Sequence, residues 1–313
     1  MTENRIDADI KQEIFQNNKL NTYSFGLQLL IAACIFFFCF LLAQLLSGYC
    51  IIAYYKTTHL KTIAADYRNL NVLRYAQILA SVCSFLLPAL IFSKLKDNRI
   101  LYFSNAHIGF SIVFLGLISL LIYTIYPAIN FTYYINKWLG FSTFSEQSQA
   151  DYKMLVNALL KDNSLFVLLL NMITIAVIPA LAEEWIFRGT FQKLLSEKLN
   201  IHFAVLLASI FFSLIHFEFS GFLPRILLGM FLGYLYYYSG NLWTSIFAHT
   251  LNNGTQVMLM YLNNAGIYKT AIDQPEIPKA WELIAYTLVF AVLWKIFLHF
   301  VQKRKKSTFA ENF

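Results

Sequence analysis

The sequence predicts an all-α, polytopic membrane protein of about eight transmembrane helices. Apolar residues make up 58% of the 313 residues and charged residues only 13%, whereas a soluble domain carries about 25% charged residues. Charged side chains are also absent from long stretches, and a spanning helix needs about 20 such residues. These stretches are 20–55, 75–93, 100–136, 163–182, 199–217 and 226–268. A soluble core could not bury so many apolar segments.

The charge-free stretches predict seven helices once the longest stretch, 226–268, is divided, and the apolar segment near 281–302 predicts an eighth. Ser239-Gly240-Asn241 is the place to divide it, because these residues favour turns. The predicted helices lie near 26–54, 75–94, 108–129, 164–195, 202–219, 222–239, 242–262 and 281–302. The longest polar connection, about 135–163, is expected to be an interfacial loop, and the sequence contains no visible internal repeat.

The basic residues near the carboxyl end predict the orientation. Lys303-Arg304-Lys305-Lys306 follow the last predicted helix, and the positive-inside rule keeps such a cluster in the cytoplasm. Eight spans then place both termini in the cytoplasm, although the basic loop 56–74 falls outside and argues against this topology. The net charge of +7 is spread over loop flanks and the tail, where anionic lipid headgroups attract it. Membrane lipids are therefore expected partners and nucleic acid is not, and the expected location is a bacterial inner (cytoplasmic) membrane.

An acidic pair follows directly on an apolar run. Residues 163–182 contain no Asp, Glu, Lys or Arg, and Glu183 and Glu184 come next. An ionisable side chain at bilayer depth costs about 3 kcal/mol on insertion scales. Two neighbouring carboxylates therefore need a partner, a water-filled cavity or a catalytic role. Arg188 is a candidate partner, because side chains four residues apart share a helix face and Glu184 can pair with it.

Other polar residues that lie within apolar runs have similar predicted depths if the fourth helix continues to Leu195. Glu183 then lies about 18 Å before the cytoplasmic turn and His216 about 22 Å after it, at a rise of about 1.5 Å per residue. His249 lies about 10 Å into its own helix on the same side. Taken singly, they have plainer interpretations: an interfacial ion pair, packed histidines and, for Asn253, a hydrogen bond between helices. Their common depth on three helices favours a shared polar site.

Three ordered motifs resemble those of a known protease family. They are Glu183-Glu184-x-x-x-Arg188, Phe212-x-x-x-His216 and His249-x-x-x-Asn253. In this order and spacing they resemble the CPBP (Abi) family of intramembrane proteases, relatives of the type II CAAX prenyl endopeptidases. The motifs cover 183–253, inside a catalytic core of about 164–262. We expect residues 1–313 to form a single integral membrane domain around that core.

The resemblance implies a role for each motif residue. Glu183 would be the base that activates water, helped by His216. His249 and Asn253 would stabilise the oxyanion. These residue types suit amide hydrolysis, which needs a general base and donors aimed at the developing negative charge. The motif residues that would shape the site are Glu184, Arg188 and Phe212.

A metal-dependent mechanism is the alternative to a glutamate-dependent one. Glu183, His216 and His249 have the side chains of a two-histidine, one-carboxylate zinc site. The HExxH motif of zinc proteases is absent, and Asn253 is a poor zinc ligand but a good oxyanion donor. We therefore favour a hydrolase without a cofactor, with zinc as the alternative.

Three functions are compatible with the sequence. The first is an intramembrane endopeptidase, similar to CAAX proteases, that cleaves a peptide or membrane protein near the cytoplasmic membrane face. The second is a proton-coupled transporter in which Glu183, His216 and His249 relay protons. Inverted repeats would favour this hypothesis, but the sequence shows none. The third is a non-catalytic immunity or scaffold protein, which the family resemblance also allows. The substrate, its prenylation and the oligomeric state stay open.

Overall fold

The computed structural model describes most of the chain, and every regular element in that part is helical. The described residues are 19–57, 70–97, 111–141, 159, 164–267 and 277–310. The all-α prediction is confirmed for them. The predicted interfacial loop, about 135–163, lies largely outside the described residues.

Eight helices of 14 or more residues make up the described part of the chain. They are α1 (Phe25–Thr57), α2 (Asn71–Lys96), α3 (Ile112–Trp138), α4 (Leu165–Ser196), α5 (Ile201–Leu214), α6 (Phe222–Ser239), α7 (Leu242–Asn264) and α8 (Ala280–Ala310). Each corresponds to one predicted helix. Helices are expected wherever a chain enters lipid, because the backbone must satisfy its own hydrogen bonds there.

Three predicted helix ends differ from the structure by five residues or more. The last helix was expected to end near 302, but α8 continues to Ala310, because lysine and arginine are good helix formers. The third helix was expected to end near 129, but α3 continues to Trp138 with Pro127 inside it, because membrane helices tolerate a proline when neighbouring groups compensate for its missing N–H. The fifth was expected to reach 219, but α5 ends at Leu214. Phe217 then adopts a φ of 51°, outside right-handed helical geometry.

Six helices of the described chain are long and apolar enough to cross a membrane: α1, α2, α3, α4, α6 and α8. The protein is therefore an integral membrane protein. α5 has only 14 residues, about 21 Å at 1.5 Å per residue, against a hydrocarbon core of about 30 Å. α7 has 23 residues, but polar side chains such as His249, Asn252 and Asn253 lower its hydropathy. Eight crossings therefore remain a prediction.

Two buried apolar clusters hold the helices together. One lies mainly between α1, α2, α4 and α5 and contains Phe36 and Phe187, both fully buried. The other lies between α3, α6, α7 and α8 and contains Leu232 and Phe297, also fully buried. The two groups of helices meet where α4 packs on α7 and α5 packs on α6. The motif residues lie on or beside α4, α5 and α7, at this junction.

α4 is continuous through the acidic motif but changes its winding twice. A π-helical segment at Met172–Val177 precedes Pro179, and a second π segment spans Phe187–Gln192. Short π segments occur in helices frequently at functional sites. The helix continues after Arg188 to Ser196, which confirms the condition on which the predicted common depth depended.

Two glycines let α6 approach its neighbours closely. A Cβ atom on Gly229 would lie 2.9 Å from Cβ of Ser209 on α5, and one on Gly233 would lie 2.7 Å from Oε1 of Gln192 on α4. Both distances are shorter than ordinary contacts allow. Only glycine therefore permits α6 to pack here without displacing a neighbour, and its backbone carbonyls come within reach of α4.

Candidate active site

α4 and α7 bring the acidic pair and one histidine together. Nδ1 of His249 lies 2.8 Å from Oε1 of Glu184, and the two residues are 2% and 0% exposed. The Arg188 guanidinium, which stays protonated in proteins, forms an ion pair of 3.0 Å with the same carboxylate oxygen. An ionised carboxylate only accepts hydrogen bonds. Nδ1 of His249 is therefore the donor, and the ring presents Nε2 on its other side.

Arg188 is held in place by three kinds of contact. It forms the predicted i,i+4 ion pair with Glu184, and its Nη2 donates to the backbone carbonyl of Gly229 at 3.0 Å. Its Cζ also lies 4.9 Å from the centre of the Phe212 ring, a distance at which a cation is attracted to the ring face. An uncompensated buried charge would be strongly destabilising. These contacts explain how the guanidinium, 1% exposed, is accommodated.

Glu183 differs from its neighbour in access and in contacts. Its Oε2 lies 3.8 Å from Nε2 of His249, which is too long for a direct hydrogen bond. A separation of this size is one that a water molecule can bridge. The side chain of Glu183 is 11% exposed and that of Glu184 is fully buried. Glu183 is therefore the carboxylate of the pair that a water molecule can approach.

His216 lies in the turn after α5 and not within a helix. Its Nδ1 lies 2.7 Å from the backbone carbonyl of Phe212. A carbonyl only accepts, so Nδ1 donates and Nε2 of the neutral ring keeps its lone pair. The Phe212 ring centre lies 5.0 Å from that of His216 and 5.7 Å from that of His249. Phe212 thus lies against both imidazoles as well as the Arg188 guanidinium.

Asn253 lies one helical turn after His249 on α7, but its recorded partner is a residue outside the motifs. Its Oδ1 accepts a hydrogen bond of 3.0 Å from Nδ2 of Asn252. Asn252 in turn accepts a bond of 3.1 Å from the hydroxyl of Tyr126 on α3. Asn253 is half-buried, and its own amide nitrogen has no recorded partner among the described residues.

The structure therefore brings most of the predicted site residues into contact, but not all of them. Contacts connect Glu183, Glu184, Arg188, Phe212 and His249 to one another, and His216 adjoins them through Phe212. Asn253 shares a helix with His249 but has no recorded contact with this group within the described chain.

Sequence reasoning missed the groups that support the site. Gln192, four residues after Arg188, donates from Nε2 to the carbonyl of Gly233 at 3.0 Å, which repeats the contact that Arg188 makes with Gly229. Glu184, Arg188 and Gln192 are spaced by four residues, and this spacing could have predicted that Gln192 lies on the same helix face as the ion pair. No such signal existed for Tyr126, because its partner is 126 positions away in the sequence.

The side chains proposed for the zinc alternative are not gathered into one ligand set. Among the described residues, no three His, Cys, Asp or Glu side chains are close enough to hold one metal ion. Glu183, His216 and His249 therefore do not form a set of three ligands in the described chain. The bonds of Nδ1 in His216 to a carbonyl and in His249 to Glu184 leave Nε2 of each ring available, an arrangement that also occurs in metal-binding histidines, so they do not decide between the two mechanisms. No chemical step is assigned to a metal.

Comparisons with known proteins point to the same segment of the chain. Residues 165–255 match the family described as "Rce1-like: Type II CAAX prenyl endopeptidase Rce1-like". The chain is also 33% identical over 93 residues to "Putative membrane peptidase YdiL" of Bacillus subtilis (strain 168). That match covers 30% of this chain and 38% of the relative. No solved structure matches significantly. Every predicted site residue lies within 165–255.

Proposed function

We propose that this CPBP-family protein, whose Rce1-like segment is residues 165–255, is an intramembrane endopeptidase. It hydrolyses a peptide bond of a membrane-associated substrate near the cytoplasmic face. The observation that carries the proposal is the arrangement at Glu183: a carboxylate with limited access to water lies 3.8 Å from the imidazole of His249, and Glu184 fixes the other side of that ring.

Glu183 acts as the general base. A water molecule between Oε2 of Glu183 and the histidines loses its proton to Glu183 as its oxygen bonds to the substrate carbonyl carbon. Nε2 of His216 helps to orient that water by accepting a hydrogen bond. The carbonyl π electrons move to the oxygen and create an oxyanion. A positioned base of this kind contributes about 10²–10⁴-fold to a rate.

His249 and Asn253 stabilise the oxyanion. With protons on both nitrogens, His249 donates to Glu184 from Nδ1 and to the oxyanion from Nε2, and the amide nitrogen of Asn253 is the second donor. In that state Glu183 holds the proton taken from water, and the positive charges of His249 and Arg188 balance the negative charges of Glu184 and the oxyanion, as a buried site requires. Collapse of the intermediate re-forms the carbonyl and breaks the C–N bond. The proton held by Glu183 then passes to the leaving amine.

Glu184, Arg188 and Phe212 are positioning residues in this mechanism. Glu184 orients the His249 ring, much as a carboxylate orients the histidine of a serine protease. Arg188 forms an ion pair with Glu184, and Phe212 packs against both imidazoles. No cofactor takes part. Both termini and the site are assigned to the cytoplasmic side of a bacterial inner membrane, in keeping with the basic residues at the end of α8.

Comparative membrane proteomics of cells that produce the wild type or Glu183→Gln tests the proposal. An uncut peptide or membrane protein should accumulate only in the variant, since glutamine cannot remove the proton. Glu197→Gln is the matched control, because Glu197 pairs with Lys96 at 3.0 Å just beyond the end of α4 and outside the motifs. Full cleavage by Glu183→Gln would reject the proposal. Substrate-dependent proton flux in liposomes would favour a transporter, and cell protection that survives Glu183→Gln would favour an immunity or scaffold role.

A further inference from the structure

We propose that Asn252 and Tyr126 are positioning residues that fix the orientation of the Asn253 side chain. The inference rests on the proposed function, in which the amide of Asn253 donates to the oxyanion. The hydroxyl of Tyr126 donates to Oδ1 of Asn252 at 3.1 Å, and Nδ2 of Asn252 donates to Oδ1 of Asn253 at 3.0 Å. α3, which carries none of the motifs, is thereby connected to the site.

The orientation of Asn253 matters because a carboxamide has two unlike ends. Its nitrogen donates two hydrogen bonds and its oxygen only accepts. An oxyanion is stabilised by the first end and repelled by the second. Because Oδ1 of Asn253 is occupied by Asn252, the nitrogen is the end left for a ligand. No recorded partner among the described residues competes for it.

The direction of the hydrogen bonds is set at the Tyr126 end. A phenol donates more readily than it accepts, so it selects the oxygen of Asn252 as its partner. The nitrogen of Asn252 must then face Asn253, and only the oxygen of Asn253 can receive that bond. Asn252 is 5% exposed, so water does not readily replace either neighbour. The burial makes the order of donors and acceptors costly to reverse.

Asn252→Asp reverses the polarity of this chain at almost constant shape. A carboxylate at this position accepts from Tyr126 and can only accept from Asn253. The Asn253 amide then turns over and presents its oxygen to the substrate. We expect kcat to fall about 10²-fold, as for the loss of one oxyanion donor, with KM little changed. Asn252→Ala leaves Asn253 free to rotate, and its expected loss is smaller, about tenfold.

The decisive measurement is a double-mutant cycle with Asn253→Ala. Cleavage is followed in liposomes with the peptide that accumulates uncut in Glu183→Gln membranes. If Asn252 acts through Asn253, Asn252→Ala/Asn253→Ala is no slower than Asn253→Ala alone, because coupled residues are not additive. Tyr126→Phe should show a weaker loss that also disappears in the Asn253→Ala background. Tyr133→Phe on the same helix is the control, because its ring packs against Tyr134 and it has no recorded bond to Asn252 among the described residues.

The outcomes separate this inference from the proposed function. Multiplicative losses in the cycle, or full activity of Asn252→Ala and Asn252→Asp, would overturn the positioning role while Glu183→Gln is still inactive. An active Glu183→Gln would overturn the proposed function itself. A merely structural role of Asn252 would lower the thermal unfolding midpoint and leave the per-molecule kcat of folded Asn252→Ala unchanged, which would also reject the inference.

Discussion

An ion pair with at least one buried side chain lies in the middle of α4, and another lies at its C-terminal end. The surroundings of the two ion pairs differ. In the middle, Glu184 and Arg188 are 0% and 1% exposed, and His249 shares the carboxylate. At the end, Glu197 pairs with Lys96 of α2 at 3.0 Å, with side chains 35% and 4% exposed. Within the part of the chain that the structure describes, no histidine contacts the second pair.

The pair at the end of α4 has the contacts of a structural clamp. Nζ of Lys96 also donates to Oε1 of Gln28 on α1, and the Lys96 carbonyl accepts from Nδ2 of Asn21 at 3.2 Å. Three helices are thus tied at one point. The pair in the middle instead holds an imidazole beside the more accessible Glu183. Burial of an ion pair therefore does not identify an active site; an accessible reactive group next to the pair does.

The largest expected difference between the two regions is in activity. Glu183→Gln should reduce kcat by about 10²–10⁴-fold, since it removes the general base. Glu197→Gln should stay within about threefold of wild type, because Glu197 pairs with Lys96 and touches none of the proposed catalytic residues in the described chain. Cleavage rates in reconstituted liposomes, normalised to folded protein, provide the measurement. Comparable losses in both variants would remove the distinction between the regions.

The next difference is in stability. Arg188→Met leaves Glu184 buried without its cation, which costs about 3–5 kcal/mol when one partner of a buried pair is removed. Lys96→Met leaves Glu197, which water can solvate, and should cost about 1.5 kcal/mol, near the low end for bonds to charged groups. Urea unfolding in detergent, followed by tryptophan fluorescence, compares the two. An Arg188→Met variant as stable as Lys96→Met would show that the middle pair is not electrostatically critical.

A smaller effect is expected where α6 supports the middle pair. Gly229→Ala places a Cβ 2.9 Å from Cβ of Ser209, which should cost about 1–3 kcal/mol by overpacking and move the carbonyl that Arg188 contacts. Gly254→Ala on α7 is the matched control, because its Cβ would meet Met172 at an ordinary 3.5 Å. The control should be as stable as wild type in the same unfolding experiment. Equal stability of both variants would contradict the close packing of α6.

The smallest expected effect is that of metal removal, which should change neither the cleavage rate nor the stability of either ion pair. Purified protein treated exhaustively with a chelator should retain its cleavage rate and contain no stoichiometric zinc. Lys96→Met is the reference for reduced stability. Although this variant unfolds more easily, the chelator should not lower its cleavage rate. Loss of activity that zinc restores would establish the metal-dependent alternative with Glu183, His216 and His249.

The helices and one ion pair were predictable because they depend on local sequence. Apolar stretches predicted each of the eight long helices of the described chain, and the spacing of four residues predicted the Glu184–Arg188 pair. The continuation of α4 beyond Arg188 was also expected from its apolar pattern. The premature end of α5 was not, because the positive φ of Phe217 is unusual for a bulky residue. His216 consequently lies in a turn.

Contacts between distant helices could not be predicted from one sequence. His249 was expected to act on the substrate, but its bond to Glu184 joins residues 65 positions apart. The clamp of Lys96 and Glu197 spans 101 positions. Nothing local distinguishes these partners from other polar residues at similar depth, since helix rotation and neighbour choice determine which side chains meet. The roles assigned to the site residues remain predictions.

The two π segments of α4 determine the direction around the helix axis in which the side chains of the acidic motif point. An extra residue in a helical turn rotates everything beyond it by about 100° relative to the residues before it. Met172–Val177 lies just before the segment that bears Glu183 and Glu184, and Phe187–Gln192 contains Arg188. Chain length within these segments is thus as important as side-chain identity. Deleting one residue from Met172–Val177 would turn the carboxylates away from α7 while every site side chain is still present.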